Sequence, residues 1–308
     1  MNNFTDRLIE SILKKKSCVI VGLDPRLDLI PKELGEKYIG PDADNKSISR
    51  LLLQFNKEII KIISKHAVGV KPQSAFYEKY GWWGVKAFWD TLAYAKKKGL
   101  ITIADIKRGD VPSTAEAYAE AYIGKSEIRN QKSEMGMIDA ITVNPFLGGD
   151  SLVPFIKAAK ENGKGLFVLV KTSNAGSKDF QDKVLDDGKP LYNFLAGKVS
   201  ELGKELIGEK GYSSVGAVVG ATFPQEAKTL RELMPQQFFL VPGYGAQGAT
   251  ADDIKSCFNS DGLGAVINAS RSIIYPAGRG KESSMSDWRD AVRSAVLEMK
   301  QSIRNIIK

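Results

Sequence analysis

Residues 101–110 read ITIADIKRGD, an apolar run that ends in charged side chains. The run predicts a buried strand, and because strand side chains alternate between two faces, Asp105 and Lys107 share the face of the preceding isoleucines. A buried ion pair needs one acid and one base, whereas this segment adds a second acid, Asp110, three residues later. The surplus charge indicates a functional site at the end of the strand.

Runs rich in valine and isoleucine recur along the chain, each followed by a helical pattern. The predicted strands are 17–24, 67–72, 100–107, 140–146, 165–173, 215–222, 238–243 and 264–270. Helical patterns cover 47–65, 84–98, 150–162, 191–208 and 225–234. Apolar strands alternating with helices indicate an α/β protein with a parallel sheet. Eight such units favour a single (β/α)8 TIM barrel over residues 1–308, with an N-terminal helix at 3–15 and a C-terminal helix at 285–307.

Polar side chains stand where the predicted strands end. They are Asp24, Lys71, Asp105, Lys107, Asn144, Ser173 and Thr222. Barrel enzymes build their active sites at the carboxyl ends of the strands, so this distribution predicts an enzyme.

Composition narrows the class of protein. The apolar fraction is 43%, and no apolar stretch is long enough to span a membrane. The N-terminus mixes acids into its apolar pattern, unlike a signal peptide. Cys18 and Cys257 lack metal-ligand spacing, which favours a reducing, cytoplasmic location. A single histidine, His66, excludes a site built on two histidines and argues against a Ser-His-Asp triad.

The formal net charge of +8 leaves two interpretations open. A basic surface is typical of nucleic-acid binding. The basic runs, however, are short (Lys14–Lys16 and Lys96–Lys98) and close helical segments, where lysine complements the helix dipole. A positive field also favours a small anionic substrate, and we expect no nucleic-acid partner.

The segment 243–248, GYGAQG, follows the seventh predicted strand and matches the pattern GxGxxG. A dinucleotide fingerprint normally opens the first βα unit, whereas barrels often bind phosphate between the loops after strands seven and eight. Glycine N–H groups and Gln247 are candidate phosphate donors, and Arg271 after the eighth strand offers a forked cation. A turn beside a surface arginine is the alternative.

The charged triplet permits other chemistry. Asp105 and Asp110 suit Mg²⁺, but the Lys107 ammonium would compete for the same oxygens. A Schiff base on Lys107 needs a lowered pKa, whereas neighbouring carboxylates favour the protonated form. The residues therefore favour Lys107 as a proton donor, with Lys71 in the same cluster and no metal.

Three connections are long, at 26–46, 119–139 and 174–190. The last, rich in glycine, lysine and aspartate, is either a lid over the active site or a surface insertion.

The pattern Asp105-x-Lys107-x-x-Asp110-Val-Pro-x-Thr114 resembles the signature of the orotidine 5'-monophosphate decarboxylase family. Further matches follow in order along residues 17–280: Gly-Leu-Asp24, Val-Lys71-Pro, Thr-Ser173, Pro242-Gly-Tyr-Gly-Ala-Gln247-Gly and Ser270-Arg271-Ser. The length of the chain and the residues of its signature, Lys107-Arg-Gly-Asp110-Val-Pro-Ser-Thr114-Ala, resemble those of the longer bacterial subgroup. The three long connections depart from shorter members.

The resemblance implies decarboxylation of orotidine 5'-monophosphate to UMP without metal or cofactor, the last step of pyrimidine synthesis. It implies a charged tetrad of Lys71, Asp105, Lys107 and Asp110, in which Lys107 protonates C6 of the pyrimidine. It also implies a homodimer with shared sites, in which Asp110 and Thr114 come from the partner subunit.

The resemblance further implies a set of substrate-binding residues. Asp24 and Lys71 would bind ribose hydroxyls, and Ser173 and Pro242 would lie against the pyrimidine. Gln247 and Arg271 would bind the phosphate, and Ser270 would also belong to the substrate-binding residues. Two alternatives stay open from the residues alone: a Mg²⁺-dependent sugar-phosphate lyase or aldolase on the same strand, and a non-catalytic nucleotide-binding or nucleic-acid-binding protein.

Overall fold

Eight parallel strands, numbered β1 to β8 along the chain, form a closed barrel in sequence order. The computed structural model describes residues 3–124, 135–245, 248–276 and 284–307. The strands are Val19–Gly22, Gly69–Lys71, Ile101–Arg108, Ala140–Val143, Gly165–Lys171, Ser213–Val219, Gln237–Pro242 and Ala265–Ala269. β8 pairs in parallel with β1, which closes the sheet. The predicted (β/α)8 barrel is confirmed.

Helices surround the sheet and flank it in sequence. The α-helices, α1 to α11, are Phe4–Lys15, Lys32–Gly35, Asn45–Ile63, Ala75–Glu78, Gly81–Lys97, Pro112–Ile123, Val153–Asn162, Leu191–Leu202, Pro224–Leu233, Arg271–Ile274 and Met285–Ile307. Short 3₁₀ helices lie at Leu27–Leu29, Met135–Met137, Asp150–Leu152, Ala175–Asp179, Lys204–Leu206 and Asp252–Cys257. Between β7 and β8, the described residues contain only the last of these 3₁₀ helices in place of an α-helix.

The first helix closes the N-terminal end of the barrel. Its apolar side chains join the residues that fill the barrel interior, and the ring of Phe4 meets that of Phe167 edge-on at 6.0 Å. Gly165 makes this possible, because a Cβ there would lie 2.1 Å from the Phe4 ring. Thr5 and Lys15 donate to carbonyls just before β6 and β2. The carboxyl ends of the strands are therefore the end at which a substrate can enter.

A buried carboxylate ties the N-terminal end together. Asp139, just before β4, accepts hydrogen bonds from Lys96 Nζ at 2.6 and 2.7 Å and from Arg7 at 3.2 Å. It also accepts from the N–H of Thr102 on β3 at 3.1 Å. These contacts join α1, α5 and two strands far from the strand ends that carry the predicted site, which indicates a role in stability.

Candidate active site

Asp105 is the centre of a charged cluster at the end of β3. Its side chain is 7% exposed and accepts from Lys71 Nζ on β2 at 2.5 Å and from Lys107 Nζ at 2.6 Å. Thr142 Oγ1, on β4, donates to the same carboxylate at 2.8 Å. The predicted grouping of Asp105, Lys107 and Lys71 is therefore present in the structure, and three donors bind the carboxylate.

The backbone turns sharply at Lys107. Its φ of +46° lies in the left-handed region, which is costly for a residue with a side chain and is often found at functional sites. The pairing of β3 with β4 shifts register between Ala104 and Arg108. The Lys107 N–H donates to Thr142 Oγ1 at 2.9 Å, which stabilises the turn. The turn leaves the Lys107 side chain 43% exposed while its ammonium still reaches Asp105.

Thr142 was not among the residues that the sequence predicted for the site. It is buried on β4 and bonds both to the Asp105 carboxylate and to the Lys107 backbone. The one available signal was a hydroxyl inside an otherwise apolar strand, and this pattern also fits an ordinary core threonine.

The paired charges keep the cluster ionised. Burial raises the pKa of Asp105, but Lys71 and Lys107 outweigh burial and hold that pKa far below its usual range. Burial lowers the pKa of Lys71, but Asp105 and Asp24 outweigh burial and leave that pKa raised. An aspartate carboxylate and a lysine ammonium therefore coexist in a buried position, which favours proton-transfer and charge-stabilising chemistry over imine formation at Lys71.

Asp24 joins the cluster from the end of β1. Its Oδ1 accepts from the N–H of Gln73 at 3.3 Å. Burial raises the pKa of Asp24, and the nearby Lys71 ammonium opposes that rise. Lys71 thus stands between two carboxylates, Asp24 and Asp105, as expected for residues at neighbouring strand ends.

Asp110 and Thr114 lie apart from this cluster within the single chain. Asp110 follows β3, and its carboxylate accepts from the N–H of Val111 at 2.8 Å. Thr114 is exposed on the first turn of α6. Gly109 lets the chain leave the barrel, because a Cβ there would lie 2.4 Å from the Asn144 carbonyl oxygen. Over the described residues, no ion pair joins Asp110 to Lys107.

Ser173 lies two residues beyond β5, against β6. A Cβ on Gly220 would lie 2.8 Å from the Ser173 Cα, and Thr222 Oγ1 donates to the Ser173 carbonyl at 3.3 Å. Pro242 is the last residue of β7 and is half-buried. The structure therefore places both candidate pyrimidine contacts at the carboxyl ends of strands.

The predicted phosphate loop is only partly described. Gln247 lies outside the described residues. The glycines at 243, 245 and 248 have φ of +105°, +71° and +91°, a conformation that favours glycine. Contrary to expectation, two of their N–H groups are already used inside the loop: that of Gly245 donates to Ala249 and that of Gly248 to Gly245.

The eighth strand offers other donors for an anion. Arg271 is exposed at the start of α10. The Ser270 hydroxyl is buried beside the Asp24 carboxylate, whose pKa it lowers through a hydrogen bond. The exposed Arg271 is therefore better placed than the glycine N–H groups to bind phosphate, whereas Ser270 lies with Asp24.

Comparison with known proteins identifies the family. The model of the orotidine 5'-phosphate decarboxylase / HUMPS family matches residues 18–284. The chain belongs to this family. Two curated proteins named orotidine 5'-phosphate decarboxylase, from Caldicellulosiruptor bescii and Rhodopirellula baltica, are each 42% identical to it. The first alignment covers 100% of both chains, and the second covers 99% of this chain and 100% of the relative.

A solved structure agrees with the sequence matches. Leishmania donovani OMP decarboxylase superposes with a TM-score of 0.73 and 29% identity, over 99% of this chain and 98% of the other. Membership of the orotidine 5'-phosphate decarboxylase family confirms the predicted resemblance and the expectation of an enzyme of the carboxy-lyase class. Within the described ranges, no helix is both long and apolar enough to cross a membrane.

Proposed function

We propose that this protein converts orotidine 5'-monophosphate to UMP and CO₂, the last step of de novo pyrimidine synthesis, without a metal or cofactor. The observation that carries the proposal is the network of Lys71, Asp105 and Lys107 at the open end of the barrel. Family membership supports the substrate and the reaction. We place the reaction in the cytoplasm, where the free cysteines Cys18 and Cys257 stay reduced.

The mechanism follows from the charges. Breaking the bond between C6 and the carboxyl carbon leaves an electron pair on C6. The Lys107 ammonium stabilises that developing negative charge and then transfers a proton to C6. Asp105 orients this ammonium through the 2.6 Å hydrogen bond. The Asp105 carboxylate faces the substrate carboxylate, and departure of neutral CO₂ removes the repulsion between them.

Binding residues position the reacting end. Asp24 and Lys71 hold the ribose hydroxyls, and Ser173 and Pro242 contact the base. Arg271 and Gln247 bind the phosphate, and Ser270 contributes to the substrate site beside Asp24. Binding energy from the remote phosphate holds the pyrimidine against Lys107, which lowers the barrier more than it tightens substrate binding.

The active site is completed by a second copy of the chain, which supplies Asp110 and Thr114. Apolar side chains crowd the rim around these residues: Phe146 is 78% exposed, and Val111, Leu147 and Val153 are also exposed. Val111 lies on the β3–α6 connection, and Phe146 and Leu147 lie on the β4–α7 connection. Val153 begins α7, which packs against α6. Exposed apolar side chains concentrated on two neighbouring segments are typical of a protein–protein interface. A two-fold arrangement there would carry each Asp110 toward the other protomer.

The decisive experiment is turnover of orotidine 5'-monophosphate by chelator-treated protein, followed by pyrimidine absorbance. We expect conversion to UMP that EDTA does not reduce. Lys107→Ala should abolish turnover while the protein stays folded. Loss of activity on EDTA with recovery on Mg²⁺, or UMP binding without any turnover, would refute the proposal.

A further inference from the structure

A second buried lysine, which the proposed mechanism does not use, lies at the end of β5. Lys171 is 0% exposed, and its ammonium forms an ion pair with Asp182. The same ammonium lies 4.4 Å from the ring centre of Phe223 and 5.3 Å from that of Tyr192. A buried ammonium without its carboxylate would be strongly unfavourable, so this pair holds its two segments together.

Asp182 belongs to the connection 174–190, which the sequence left open as a lid or a surface insertion. From 181 to 192 this segment is a hairpin. The N–H of Leu191 donates to Lys183 at 2.8 Å, that of Tyr192 to Gln181 at 3.0 Å, and Val184 pairs with Pro190 in antiparallel fashion. The hairpin is thus a defined element that can act as a rigid arm.

The hairpin is attached to two consecutive residues, Lys171 at the end of β5 and Thr172 directly after it. Asp182 binds Lys171, and the side chain of Gln181 both accepts from the Thr172 N–H at 2.9 Å and donates to Thr172 Oγ1 at 2.9 Å. The next residue is Ser173. The hairpin therefore holds the two residues that directly precede the proposed pyrimidine contact.

Residues 171–173 also contact Gly220, the residue that directly follows β6. The N–H of Gly220 donates to the Lys171 carbonyl at 2.7 Å, and Gly220 leaves no room for a side chain beside Ser173. Ser173 lies past the end of the strand ladder, where regular pairing no longer determines its position. Contacts from the hairpin and from β6 together determine its position.

We propose that Lys171 and Asp182 form a latch that positions Ser173 against the pyrimidine base. This inference rests on the proposed function, which gives Ser173 its contact with the base. Lys171 is a positioning residue, since its ammonium is enclosed by Asp182, Tyr192 and Phe223. The carboxylate is the accessible half of the latch, with a side chain 31% exposed.

The test compares Asp182→Asn with Asp186→Asn, the same chemical change at an exposed position of the same hairpin. UMP affinity reports on binding of the whole nucleotide, and competitive inhibition by ribose 5-phosphate reports on the same site without the base. A loss confined to UMP is therefore a loss of contact with the base. For Asp182→Asn we expect UMP affinity and kcat/KM to fall about threefold to tenfold, as for loss of one neutral hydrogen bond to the base. Ribose 5-phosphate inhibition should stay within about twofold of wild type, as should every constant of Asp186→Asn.

Asp182→Glu restores the charge and should recover most of the UMP affinity. If Asp182→Asn does not fold, Lys171→Met takes its place, since methionine keeps an apolar side chain against both rings and buries no charge. Wild-type UMP affinity in an active Asp182→Asn protein would overturn the latch alone. An equal loss of UMP and ribose 5-phosphate binding would also overturn it, because the effect would not be confined to the base. Wild-type protein that neither binds UMP nor converts the substrate would instead overturn the proposed function.

Discussion

Replacing Thr142 by valine tests whether one hydroxyl holds Lys107, the proposed proton donor, in position. Valine keeps the shape of threonine and suits a strand, but it removes the hydroxyl that donates to Asp105 at 2.8 Å and accepts from the Lys107 N–H at 2.9 Å. A hydrogen bond to an ionised group is worth about 1.5–3 kcal/mol, and a neutral one about 0.5–1.5 kcal/mol. The free energy of unfolding should therefore fall by about 2–4 kcal/mol.

Catalysis should suffer as well, because the left-handed backbone at Lys107 loses its hydrogen-bonded support. A misplacement of a reacting group by about 1 Å costs up to roughly a hundredfold in rate, so we expect kcat to fall about tenfold to a hundredfold. Urea unfolding measures the first effect, and turnover of orotidine 5'-monophosphate measures the second.

Thr142→Ser is the matched control, since it keeps the hydroxyl and loses only a methyl group. It should retain kcat within about threefold and most of the stability. A Thr142→Val protein with the stability and kcat of wild type would show that Asp105 and Lys107 hold their positions without this hydroxyl, and the reasoning would be wrong.

Three other predictions concern acid stability, the N-terminal end of the barrel and the dimer. The lowered pKa of Asp105 contributes to the free energy of unfolding above the usual pKa of an aspartate, and this contribution is lost as the pH falls below about 4. The difference in stability between wild type and Asp105→Asn should therefore shrink below about pH 4, as measured by denaturant unfolding at a series of pH values. Asp139→Asn weakens the contacts with Lys96 and Arg7 and should lower the free energy of unfolding by about 2 kcal/mol. The kcat of the folded protein should stay unchanged, and a large loss of kcat would contradict a purely structural role. Lys107→Ala and Asp110→Ala proteins, each inactive alone, should regain about a quarter of wild-type activity after mixing and subunit exchange. Half of the dimers are then mixed, and each mixed dimer has one intact shared site out of two. No recovery despite proven exchange would place Asp110 in its own protomer's site.

The fold was predictable because its signals are local and repeated. Alternation of apolar strands with helical patterns along the chain indicates a barrel, since only a parallel sheet buried on both faces accepts such strands. The polar strand ends were equally predictable: Asp24, Lys71 and Asp105 lie at or near the carboxyl ends of β1, β2 and β3, and the pairing of these neighbouring strands brings them together. The order of residues therefore determined which groups meet at the rim.

Only the tertiary structure decided how those groups are held. Alternation along β3 places Asp105 correctly, but Lys107 departs from regular strand geometry, and its position depends on Thr142 across a shifted register. Lys171 and Asp182 meet because a hairpin brings Asp182 to the end of β5. Asp139 forms ion pairs with Arg7 on α1 and Lys96 on α5. Such contacts depend on how helices, strands and loops pack in three dimensions, and no periodic pattern in the sequence predicts them. The sequence by itself determined the barrel and its charged rim, whereas the fold decided which hydrogen bonds fix each charge in place.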